Sequence, residues 1–211
     1  MGLLISFEGI DGAGKSTHVA GLKKRLETEG YRCEVFREPG GTELSEEIRT
    51  ILLHHKGEMD PVAELLLFSA ARAQLISEKV KPLLDKPDTI VILDRFFDST
   101  TAYQGYARNA LDPDEIKKIN RIAAHQVKPD ITFYLRLDIG KALSRLKDEK
   151  DRMEQSGDEF YKLVQQGFDA LAEEEPRFVR IDAGQAIETV HELIWSNFKN
   201  RMKDLRPADS S

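Results

Sequence analysis

Apolar residues recur along the chain in two alternating rhythms. Leu3–Glu8 is a short, nearly continuous apolar run that ends at a glycine, the pattern of a buried parallel strand. Lys15–Glu29 then sets Val19, Leu22 and Leu26 at helical spacing and stops at Gly30. Tyr31–Arg37 predicts a second strand, closed by the turn signal EPGG. Glu43–His55 puts Leu44, Ile48, Ile51 and Leu52 on one helical face. Pro61, suited to a first helical turn, opens a long helix to about Leu84. The strongly apolar TIVILD, Thr89–Asp94, predicts a third strand. Asp98–Arg108 and Asp112–Gln126 read as helices and Ile131–Leu137 as a strand. Ile139–Glu149 reads as a highly charged amphipathic helix and Asp158–Glu174 as another. Arg177–Ile181 and Ala186–Lys203 supply a last strand and a last helix before a frayed tail, LRPADSS.

Strands alternating with helices predict an α/β fold: about five parallel strands with helices on both faces, in one domain spanning 1–211. Ligands of such sheets sit beyond the carboxyl ends of the strands. The residues that follow each strand are therefore the ones to read for chemistry.

Composition narrows the function classes. A formal charge of −6 argues against a general nucleic-acid binder, which carries a basic excess. The single cysteine, Cys33, offers neither a disulfide framework nor a metal cluster, and its place in a strand suits core packing. No apolar run approaches the ~20 residues of a membrane span. MGLLISFEG runs straight into a glycine loop without a charged leader or cleavage site, so the expected location is cytoplasmic, with no membrane and no nucleic-acid partner.

That glycine loop carries the first chemistry. Gly9, Ile10, Asp11, Gly12, Ala13, Gly14, Lys15 and Ser16 fit G-x-x-x-x-G-K-[ST] between a predicted strand and a predicted helix, and Thr17 follows. The glycines let backbone N–H groups turn inward around phosphate oxygens, and the helix adds its positive end. Lys15 is expected at the β- and γ-phosphates of ATP and Ser16 at Mg²⁺. Asp94, at the end of TIVILD, is a candidate to hold that Mg²⁺ through water. No N-K-x-D element for guanine occurs, and arginines follow the strands: Arg37 after the second and Arg95 after the third, with Arg72 on the long helix. A small phosphate-loop domain with such arginines suits phosphoryl transfer between two small molecules.

The stretch ILDRFFDSTTAYQG, residues 92–105, is more specific still. It resembles the thymidylate kinase family in an apolar strand, Asp94-Arg95, an aromatic, Ser99, Thr100, Ala102, Tyr103 and Gln104. REPGGT (Arg37–Thr42), FSAARAQL (Phe68–Leu75) and DRMEQ (Asp151–Gln155) are similar to further segments of that family, in order. The resemblance implies a three-layer P-loop kinase fold with a small helical lid at about 139–157. It implies transfer of the γ-phosphoryl group of ATP to dTMP, giving dTDP and ADP for dTTP synthesis, in a homodimer.

It also implies roles. Phe68 would stack on the pyrimidine, and Arg72, one turn on, would donate to its O4. Thr100 would meet the base edge and Tyr103 would lie under the deoxyribose, with Gln104 close by. Arg95 would bind the acceptor phosphate, with Arg37, Pro39 and Ser99 in the same acceptor set. Asp11 is similar to the carboxylate that faces the acceptor sugar and the magnesium. Some members carry an arginine in the loop where this chain has Gly12, and bacterial-type members supply cations from the lid instead. The lid segment KALSRLKDEKDRMEQ offers Arg145, Lys147 and Arg152 as candidates to reach ATP. The segment Ile181–Gln185 resembles the loop that brushes adenine, through backbone contacts.

Overall fold

A computed structural model describes residues 2–146 and 157–205. Five strands form one parallel sheet in the order β2-β3-β1-β4-β5. They are β1 (Leu3–Glu8), β2 (Arg32–Arg37), β3 (Thr89–Asp94), β4 (Ile131–Arg136) and β5 (Phe178–Asp182). β1 pairs with β3 from Leu3↔Ile90 to Phe7↔Asp94, which sets the ends of the two most apolar strands level. The central strands are buried on both faces, as their apolar runs demand.

Helices α1 (Lys15–Thr28) and α9 (Ile187–Leu205) cover one face, where Val19, Leu22 and Leu26 meet Val190, Ile194 and Phe198 around Ile5 and Phe7. The other face takes α3 (Pro61–Leu75) and α4 (Lys81–Leu84), packed on Leu4, Val91 and Leu93. On the same side, α8 (Gly157–Glu174) stacks Phe168 on Tyr134 of β4. Helices α2 (Glu43–His54) and α6 (Pro113–Ala123) pack against α3. The predicted α/β architecture, with a parallel sheet covered on both faces, is the observed one.

Three predicted helices differ in their course. The helix from Pro61 passes through a π-helical stretch, Ile76–Val80, just ahead of Pro82. Proline lacks the N–H that would close the preceding turn, so the ladder widens there. The segment expected as one helix over Asp98–Arg108 is a short α5 (Phe97–Thr100) followed by a π-helical turn, Thr101–Ala107. The charged helix expected to reach Glu149 is α7 (Ile139–Leu143), and Ser144–Leu146 continue as tighter turns closed by Arg145 N–H to Ala142 O and Leu146 N–H to Leu143 O. The remaining lid residues, Lys147 and Arg152 among them, lie outside the described residues.

Candidate active site

The site lies across the carboxyl ends of β1, β3 and β2. After β1 the loop turns through Gly9, Gly12 and Gly14, each with φ in the left-handed region. Ile10 and Ala13 are buried in the core, so only their backbone can face a ligand. Lys15 is almost fully buried and its Nζ donates to the carbonyls of Gly9 and Ile10 at 3.0 and 2.9 Å. Burial, with the nearby Arg95 cation, lowers its pKa to about 8.

Gly12 has no room for a side chain. A Cβ there would stand 2.1 Å from the carbonyl oxygen of Ala142. The root of the lid, α7, therefore packs directly on the loop, and any side chain would force it away. Arg145, just beyond α7, donates to the Gly12 carbonyl at 3.3 Å and faces the wide groove over the loop. That groove, about 1030 Å³, is lined by Gly14, Lys15, Ser16 and Thr17 at one end and by Ala183, Gln185 and Ile187 at the other.

Ser16 Oγ donates to Asp94 Oδ2 at 2.7 Å. A hydroxyl and a carboxylate, both hard oxygens, at the mouth of a phosphate loop suit Mg²⁺ with most of its waters retained. Asp11 does not join them. One of its oxygens pairs with Arg95 Nη2, and the other accepts from Tyr103 OH at 2.9 Å and Tyr161 OH at 3.2 Å. Asp11 still lines the same groove as Ser16 and Asp94. Burial alone would raise its pKa, but Arg95 and Lys15 overcome that and hold it at about 2.

Arg95 is the hub. Its backbone sits at φ 72°, an uncommon place for a non-glycine residue. From there Nη1 donates to Gly9 O at 2.9 Å and Ser99 Oγ at 3.0 Å, and Nη2 reaches Asp11 and Tyr103 OH. The guanidinium lies 5.0 Å from the centre of the Tyr103 ring.

Beside it is a second, smaller cavity. Nine of the ten residues predicted to hold the acceptor line it: Asp11, Pro39, Phe68, Arg72, Arg95, Ser99, Thr100, Tyr103 and Gln104. Arg37 is the exception. It is half exposed, pairs with Glu46 at 3.1 Å and opens onto the phosphate groove instead. Arg72 is 2% exposed, and its three nitrogens reach Glu38, Thr100 and Asn120. Gln104 Nε2 donates to the buried Glu64 at 2.8 Å. Thr100, just before the π-helical turn, and Tyr103 and Gln104 within it all line the cavity.

Several residues escaped the sequence reading. Glu38 lines both cavities and is buried with Oε1 unpartnered; burial raises its pKa to about 7 although Arg72 pulls it down. Arg49, on α2, also lines both cavities and donates to Pro39 O at 3.0 Å. Glu8 ends β1 fully buried, accepts from Phe96 N–H at 2.8 Å and lies 2.6 Å from Ser99 Oγ. Burial next to Asp98 raises its pKa to about 8. A glutamate closing an otherwise apolar strand was the available signal. Tyr161 gave none, since its helical spacing reads as core.

The chain matches a family model described as thymidylate kinase over residues 7–194. It is 49% identical over 207 residues to a thymidylate kinase of Chlorobaculum tepidum, covering 92% of this chain and 96% of that one. It is 50% identical over 206 residues to one of Chlorobaculum parvum, with 92% and 94% covered. Among solved structures, the thymidylate kinase of Ehrlichia chaffeensis superposes with a TM-score of 0.76 at 36% identity, covering 94% of this chain and 98% of that one.

Proposed function

The chain belongs to the thymidylate kinase family and performs that family's phosphoryl transfer, and we propose how its own residues divide the work. ATP lies in the wide groove with its phosphates on the Gly9–Thr17 loop. dTMP lies in the adjoining cavity, and the γ-phosphoryl group passes between them to give ADP and dTDP. The observation that carries this reading is the meeting of two pockets at Arg95 and Asp11, which line both. A nucleotide phosphate in each would face the other there.

Transfer through a loose transition state needs positioning and charge balance more than proton abstraction. Backbone N–H groups of the loop, Lys15 and Arg145 surround the donor phosphates. Ser16 and, through water, Asp94 would hold Mg²⁺, which would supply charge to offset that of the donor phosphates. Arg95 takes the acceptor phosphate. Ser99 accepts from Arg95 and donates to Glu8, and so braces the guanidinium from behind. Asp11 aims Arg95 and caps the space where the deoxyribose stands. Phe68 stacks on the pyrimidine while Arg72 and Thr100 read its edge. Lys147 and Arg152 are further candidates for the donor side once the lid closes and excludes water.

The chain works as a single domain over 1–211 with its lid at about 139–157, in the cytoplasm, supplying dTTP synthesis. Among the described residues no helix is long and apolar enough to cross a membrane. A homodimer is supported by exposed Leu44 and Ile51 on α2 and Leu66 on α3, apolar side chains on neighbouring helices.

The test is ADP release with ATP, Mg²⁺ and each of dTMP, dUMP, UMP, dCMP and dGMP in turn. Strong release with dTMP, less with dUMP and little with the others is expected. Equal release with every acceptor would overturn the assignment of the cavity.

A further inference from the structure

The guanidinium of Arg72 is held from three directions by three separate segments. Nε donates to Glu38 Oε2 at 2.8 Å, from the turn after β2. Nη2 donates to Thr100 Oγ1 at 2.8 Å, on α5. Nη1 donates to Asn120 Oδ1 at 3.2 Å, on α6. Glu38 and Thr100 line the acceptor cavity themselves, but Asn120 does not. It stands behind Arg72, on the far side from the ligand.

The orientation of Asn120 is set independently of Arg72. Its Nδ2 donates to Phe97 O at 3.1 Å and to Thr101 Oγ1 at 3.0 Å. With both amide hydrogens used on α5 and the turn after it, the oxygen is left facing α3. A flipped amide would put an NH₂ group against the guanidinium and leave two acceptors facing an oxygen, so one orientation alone satisfies all the partners. Asn120 is 3% exposed. The amide is thus a fixed bracket between the segment that carries Ser99, Thr100 and Tyr103 and the arginine that reads the base.

We infer that Asn120 is a positioning residue for acceptor-base recognition, acting through Arg72: it fixes the guanidinium so that the remaining N–H groups point at the carbonyl edge of the pyrimidine. This rests on the dTMP reading of the cavity. A planar fork selects a base only if it is held in one plane. Two partners on the ligand side leave the fork free to pivot, and the third, behind it, removes that freedom. A pivoting fork costs binding of the correct base while leaving the phosphate end, where transfer occurs, in place.

The test is steady-state kinetics on the full chain with Asn120→Ala, Arg72→Met and the double variant, each with dTMP and with dCMP. Asn120→Ala is expected to raise KM for dTMP about tenfold, the scale of one buried hydrogen bond to a charge. Turnover should stay within about twofold, and the preference for dTMP over dCMP should shrink by the same factor as KM rises. In the Arg72→Met background, where no guanidinium remains to be positioned, the same substitution should change KM by less than about twofold. An undiminished tenfold rise in that background would overturn the inference, because Asn120 would then act on the fold at large. If Arg72→Met alone leaves KM for dTMP unchanged, the base-site reading fails first and the inference with it. Should Asn120→Ala not fold, Asn120→Leu, of similar size and without the amide, takes its place in the same cycle. It too should raise KM for dTMP about tenfold in the parent and less than about twofold in the Arg72→Met background, and an unchanged KM in the parent would contradict the proposal.

Discussion

Arg95 and Asp11 form an ion pair at the seam between the two cavities, with the Tyr103 hydroxyl bonded to both. The arginine follows β3 and the aspartate sits in the loop after β1, so the pair exists only because those strands lie side by side. Replacing Arg95 by alanine removes the acceptor-phosphate cation at a side chain that is 17% exposed. Turnover with dTMP should fall well over tenfold, about 1.4 kcal/mol or more of lost transition-state stabilisation. Circular dichroism should still report a folded chain. A folded variant with near-normal activity would remove Arg95 from the acceptor site.

Glu8 makes stability depend on pH in an unusual direction. Its pKa is raised in the folded chain, to about 8, from an ordinary value of 4.5. Between those values the folded state binds more protons than the unfolded one, so stability falls as pH rises through that window and levels off above it. Glu38, raised to about 7, adds to the same slope. Glutamine at position 8 keeps the shape of the side chain without its charge, its oxygen accepting from Phe96 N–H. Glu8→Gln should therefore melt a few degrees higher than the parent at pH 9 and near the parent at pH 5. Parallel melting curves at both pH values would contradict a raised pKa at Glu8.

Lys15 should announce its own chemistry through protons. At about 8, its pKa leaves it half protonated at pH 8 in the free enzyme. Phosphates placed beside it favour the charged form. Binding of ADP at pH 8 should then take up about half a proton, and far less at pH 6.5. Calorimetry in two buffers of different ionisation enthalpy reads this directly, and no uptake at pH 8 would show that Lys15 is not desolvated before nucleotide arrives.

Gly12 tests the link between loop and lid. Because an added Cβ would meet the Ala142 carbonyl at 2.1 Å, Gly12→Ala must move α7 or the loop. KM for ATP should rise at least tenfold, together with lost stability of about 1–3 kcal/mol from overpacking and a left-handed backbone at φ 79°. A normal KM for ATP would mean that the seat of α7 on the loop is not used in donor binding.

Much of this site can be read from the chain because its residues follow strand ends in short, dense motifs. The glycine loop and the run from Asp94 to Gln104 carry their chemistry within a few positions, so spacing alone brings it together. What stayed hidden depends on packing between distant segments. Asn120 and Tyr161 sit at ordinary helical positions, and only the approach of α6 and α8 gives them Arg72 and Asp11 as partners. Arg37, the last residue of an edge strand, pairs with Glu46 and lines the phosphate groove, a placement that its motif alone does not give. The course of the helices was obscured in the same way, since the π-helical turn at Thr101–Ala107 leaves no periodicity distinct from an α-helix over seven residues.

The central claim is that the two cavities form one transfer site, and the most direct measurement follows the phosphoryl group itself. The chain would be incubated with ATP labelled at the γ-phosphate, Mg²⁺ and dTMP, and the products separated. The account predicts label in dTDP, dependent on dTMP and largely lost in Arg95→Ala. Label released as inorganic phosphate at the same rate with and without dTMP would contradict it.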